Sequence, residues 1–71
     1  MTLKQEIGEQ LRRLREQTGI TQDGMAKKMG CSRQYISMVE KGGQSISLDQ
    51  IEKFAQALGS TVEIKLNVPQ Q

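Results

Sequence analysis

Along most of this chain, apolar residues return every three or four positions. Leu3, Ile7, Leu11 and Leu14 form one such stripe, with Arg12, Arg13 and Glu16 lying off it. That period predicts an amphipathic helix from Leu3 to about Thr18, ended by Gly19. Thr21 stands as N-cap to a second helix, with Asp23 at the positive end of its dipole. This helix turns Met25, Ala26 and Met29 inward and stops at Gly30. Gly24 sits where a capping-box Glu would help and costs about 1 kcal/mol of helix propensity relative to Ala, so a loose start is expected. Ser32 caps a third helix that runs to about Lys41, with Ile36 and Val39 apolar. Gly42 closes it, and Gly43 is expected to keep the backbone close to a neighbour. Ser47 and Gln50 write a capping box for a fourth helix, whose stripe is Leu48, Ile51, Ala55 and Leu58 with Phe54 adding bulk. Gly59 ends it.

After Gly59 the period changes from helical to two. Val62, Ile64, Leu66 and Val68 alternate with Glu63, Lys65 and Asn67, the pattern of a half-buried strand. No other stretch of the chain repeats that pattern, so the strand lacks an obvious partner. A second copy is the economical one: two antiparallel strands about a twofold axis, with Val62, Ile64 and Leu66 packed on the helices as a dimerisation surface. The alternative is a strand folding back on the N-terminal residues. The chain thus divides into an expected helical domain over 1–59, a dimerisation strand over 60–68 and a frayed polar tail over 69–71.

Composition narrows the choices further. Seventy-one residues make one small domain near the lower limit for a core without staples. A single cysteine, Cys31, excludes an internal disulfide, and with no histidine it also excludes the usual Cys/His zinc sites, so no metal or cofactor is expected. Cys31 reads as a small packed residue rather than a redox sensor, and Ile46 as core. No apolar run reaches membrane-spanning length and no signal peptide is evident, which points to the cytoplasm and away from a membrane. Charge is uneven: residues 1–41 hold eight Lys/Arg and five Asp/Glu, a net +3, whereas residues 42–71 hold two and three, a net −1. The basic first half suits an anionic partner.

Two short helices joined by a tight turn, in "TQDGMAKKMGCSRQYISMVEKG", match a helix-turn-helix pattern. Ala26 lets the helices approach closely and Gly30 permits the turn. Ile36 and Val39 hold the third helix to the body, which leaves Arg33, Gln34, Ser37, Met38 and Lys41 facing outward. Arg can pair with guanine O6 and N7, Gln with adenine N6 and N7, and Met38 can touch a thymine methyl.

"LRRLREQTGITQDGMAKKMGCSRQYISMVEKG" followed by "SLDQIEKFAQALG" resembles the Cro/repressor-type (xenobiotic-response-element, XRE) helix-turn-helix family over about residues 5–59. The resemblance implies an all-α fold, a compact four- or five-helix bundle of the lambda-repressor type, whose third helix enters the major groove of double-stranded DNA. It implies base contacts from Arg33, Gln34, Ser37 and Met38. Gln22, Ser32, Lys41 and Gly43 would meet the phosphate backbone, while Tyr35 either does so or covers the turn. It also implies a structural ion pair between Arg15 and Glu40. The chain departs from the family pattern at Gly24 and Ile46.

The leading expectation is a sequence-specific transcription regulator, a repressor that binds a palindromic operator as a homodimer. The alternative is the antidote of a toxin–antitoxin pair, binding a protein toxin and repressing its own operon, which the helix-turn-helix plus C-terminal strand also resembles. An enzyme is disfavoured, because no nucleophile, paired-carboxylate, phosphate-loop or metal constellation is present.

Overall fold

Each helix begins where a short polar side chain takes over an orphaned backbone donor. The computed structural model describes residues 1–67, and among them four helices form: α1 (Leu3–Gln17), α2 (Gln22–Met29), α3 (Arg33–Glu40) and α4 (Leu48–Ala57). Thr21, Ser32 and Ser47 accept from the backbone N–H of Gly24, Tyr35 and Gln50 at 3.0, 3.0 and 3.1 Å. Thr2 heads α1 with a full capping box, accepting from Gln5 N while its own N–H donates to Gln5 Oε1. Two expectations change here. The start of α2 is not loose, because Gly24 N itself makes the cap, and a methyl at Gly24 would press on Ile20 and Thr21 at 3.3 Å. The box at Ser47 is only half made, because the Gln50 amide turns instead to Tyr35.

The core is built from Met25, Ile36, Val39 and Phe54, all sealed from solvent, with Leu11, Ala26 and Leu58 around them. Ile46 packs against this cluster from the loop before α4. Leu3 and Leu48, expected in the stripes of α1 and α4, are instead exposed. Each is the first residue of its helix, and helical side chains lean toward the N-terminus, so these two lean past the end of the body.

α3 packs on both α1 and α2, and α2 on α4. The crossing of α1 over the end of α3 depends on Gly8, whose absent side chain lets the Val39 and Glu40 carbonyls approach; a Cβ there would sit 2.8 Å from the Glu40 oxygen. The close approach expected at Gly43 occurs one residue earlier. Gly42, at φ 73°, lies so near α1 that a Cβ would fall 2.6 Å from Gln5 Cα, whereas at Gly43 it would meet only Met38 at an ordinary 3.6 Å.

Beyond Gly59 the expected strand is not formed. Ser60 N still bonds to Ala55 O, but over 61–67 no backbone hydrogen bond is made to another described residue. A strand is a paired object, and the described residues offer this segment no ladder. Val62, Ile64 and Leu66 stay exposed. Val68 and the tail 69–71 lie outside the described residues.

Candidate nucleic-acid interface

What orients α3 is a buried ion pair on its last residue. Glu40 Oε2 accepts from Arg15 Nε at 2.6 Å and Oε1 from Arg15 Nη2 at 3.0 Å, a two-pronged pairing across α1 and α3. Glu40 Oε1 also accepts from Gln22 Nε2 at 3.1 Å, and Arg15 Nη1 donates to Ile20 O at 2.8 Å. One carboxylate thereby ties the end of α3 to the start of α2, and the guanidinium fixes the loop between α1 and α2. The hydrogen bond to Glu40 raises Arg15 above its already high ordinary pKa, against the desolvation that opposes it. With these bonds made, no buried side-chain polar atom among the described residues lacks a partner.

A second brace enters from α4. Gln50 Nε2 donates to Tyr35 Oη at 3.1 Å, while the Tyr35 ring tilts against Phe54 with centroids 6.4 Å apart. Tyr35 is half-buried and packs against the core.

With Ile36, Val39 and Glu40 held inward, the opposite face of α3 is open. Arg33, Gln34 and Met38 are exposed, and Ser37 is half-buried between them. Lys41 caps the helix end in solvent, and Gly43 lies beside Met38. Ser32, the N-cap, is exposed with its oxygen committed to Tyr35 N. Half-buried Gln22 sits at the first turn of α2, so the N-terminal ends of α2 and α3 each carry candidate phosphate contacts. Arg33 Nε lies 3.8 Å from Asp23 Oδ1 across the turn, a solvated contact of little strength.

A family model described as a helix-turn-helix domain matches residues 6–64, nearly all of the chain just described. The chain belongs to the Cro/XRE-type helix-turn-helix family of DNA-binding regulators. An uncharacterised HTH-type transcriptional regulator, y4dJ, from Sinorhizobium fredii is 35% identical over 65 residues, covering 90% of this chain and 84% of that protein. The clp gene regulator ClgR from Corynebacterium glutamicum superimposes with a TM-score of 0.84 at 29% identity, over 87% of this chain and 80% of its own. The restriction-modification controller protein C.AhdI from Aeromonas hydrophila gives 0.74 at 38% identity, over 79% and 85%.

Within this helix-turn-helix frame, two participants escaped the sequence reading. Gln50 looked like a capping-box residue, and nothing in the pattern of α4 signals a bond to Tyr35. Asp23 was legible as a dipole partner but not as a neighbour of Arg33. Cys31 packs beside the core in the turn, and burial pushes its thiol above the ordinary value of 9.0, opposite to what a reactive thiolate needs. Among the described residues no helix is long and apolar enough to cross a membrane.

Proposed function

We propose that the protein is a sequence-specific transcription regulator that binds a palindromic operator as a homodimer and represses by occupying the promoter. The observation that carries this reading is the open face of α3. It offers two side chains able to make bidentate base contacts, Arg33 and Gln34, beside an exposed methionine, on a helix immobilised at both ends. In this reading Arg33, Gln34, Ser37 and Met38 meet base edges. Gln22, Ser32, Lys41 and Gly43 engage phosphates on either side. Because Gln50 donates to Tyr35 Oη, the tyrosine hydroxyl proton is left free, and it donates to a phosphate.

The contact with Asp23 is weak and solvated, so Arg33 is free to turn to a guanine and hold it by two parallel bonds. The helical domain over 1–59 reads DNA, and the segment 60–68 joins two copies. Relatives named as transcription regulators and restriction-modification controllers support this role over the antidote reading, which would need a toxin partner.

The test is selection of bound duplexes from a random library by the purified protein. The expected winners are inverted repeats whose half-sites are about 34 Å apart, one helical turn. Enrichment of no sequence, or of a single asymmetric site, would refute the reading.

A further inference from the structure

The segment after Gly59 carries three exposed apolar side chains, Val62, Ile64 and Leu66, with Leu66 91% exposed. Val62 and Ile64 also edge a shallow groove of about 400 Å³ between α1 and α4, walled by Ile7, Leu11, Leu14 and Ile51. Leu48, Ile51 and Glu52 line a second hollow that the same two residues also edge. The segment has apolar cover to offer, and its backbone over 61–67 makes no hydrogen bond to another described residue. The question is what chain completes it, and in which register.

Charge and parity answer both. In an antiparallel pair, directly opposite residues place their side chains on the same face. In a twofold-symmetric pair, the residue on the axis faces itself. If the axis falls between two residues, apolar positions oppose polar ones, such as Glu63 against Ile64, and the apolar face is broken. An axis at Glu63 or Lys65 sets like charges directly against each other, which is destabilising. Axes at Val62 or Leu66 preserve the faces but separate Glu63 from Lys65. Only an axis at Ile64 keeps both requirements. It sets Ile64 against Ile64, Val62 against Leu66, and Glu63 against Lys65 at both ends, with Thr61 against Asn67 beyond.

We infer that the segment is a self-complementary docking strand, and that its partner is the same segment of a second copy, paired antiparallel about Ile64. The Val62–Leu66 faces of the two strands then lie together over the α1–α4 grooves of the dimer. The two Glu63–Lys65 pairs fix the register from the outer face. This rests on the dimeric reading of the protein and specifies how that dimer chooses its partner.

Sedimentation equilibrium of the full chain and of Glu63→Lys, Lys65→Glu and the doubly swapped chain tests it. Each single swap sets like charges opposite at both ends and should weaken self-association on the order of tenfold. The double swap should restore it. An equimolar mixture of the two single variants should form a mixed dimer at least as tight as the native one, because each charge again meets its opposite. Single variants as tight as the native chain, or a double swap no better than either single, would overturn the register while leaving a dimer. A native chain that sediments as a monomer would overturn the dimeric reading itself, and the register with it.

Discussion

Replacing Glu40 with alanine removes the acceptor shared by three donors, and the size of the loss follows from what remains. The Glu40 side chain is 2% exposed and that of Arg15 10%. Without the carboxylate, Arg15 Nε and Nη2 and Gln22 Nε2 lose their bonds, while Nη1 keeps its bond to Ile20 O. Half-buried Gln22 can turn to water, but the guanidinium stays charged and nearly enclosed. Breaking a buried pair from one side costs about 3–5 kcal/mol. The retained Ile20 bond and the 10% of the Arg15 side chain still open to solvent favour the lower end, about 3 kcal/mol. A domain of this size has roughly 4–10 kcal/mol in total, so Glu40→Ala should remain folded in the cold yet melt far below the native chain. The assay is urea unfolding followed by far-UV circular dichroism. A companion chain carrying Arg15→Met and Glu40→Leu removes both charges and should recover most of the stability. A loss below about 1.5 kcal/mol for Glu40→Ala, half the figure derived from burial, would refute the account of a desolvated charge.

Gly8→Ala gains about 1 kcal/mol of helix propensity, yet its methyl meets backbone oxygens that cannot swing aside. Overpacking costs about 1–3 kcal/mol, so thermal denaturation should show a net loss; an unchanged or higher Tm would contradict the close crossing. Lys41→Gln should weaken binding to all duplexes alike and lower the salt slope by about one, whereas Arg33→Gln should alter which sequences are preferred; both are read by fluorescence anisotropy. Tyr35→Phe should lower affinity about tenfold, the low end for a hydrogen bond to a charged acceptor, without changing the salt slope; full affinity would leave Tyr35 as a turn cover only. The Cys31 thiol should react with iodoacetamide at pH 8 more slowly than an unfolded cysteine peptide. Since the fold favours the protonated thiol, its contribution is complete below the ordinary value of 9.0 and is lost as pH rises above it.

How much of this was legible in the sequence depends on the range of each interaction. Caps at Thr21, Ser32 and Ser47 act within three residues, so helix starts could be read directly. The core positions of α2 and α3 followed from spacing alone. Leu3 and Leu48 misled because a stripe gives direction around a helix but not whether a body lies beside its first turn. Gly8 and Gly42 show a different limit. A glycine in α1 carries no local mark of the carbonyls crossing it, and the tight approach at the end of α3 belongs to Gly42 because that residue faces Gln5. The bonds from Gln22 to Glu40 and from Gln50 to Tyr35 span 18 and 15 residues, beyond any pattern in one helix. The segment 61–67 is the sharpest case: its alternation is unmistakable, but a ladder needs a second strand, and the described residues supply none.

The claim that α3 reads base edges in the major groove is tested most directly by methylation interference on a selected duplex. Methylation of guanine N7 blocks the major-groove edge, and methylation of adenine N3 blocks the minor groove. The account predicts interference from guanine N7 at symmetric positions in both half-sites, with one position per half-site losing its effect for the Arg33→Ala protein. Interference confined to adenine N3, or a guanine pattern that Arg33→Ala leaves unchanged, would contradict it.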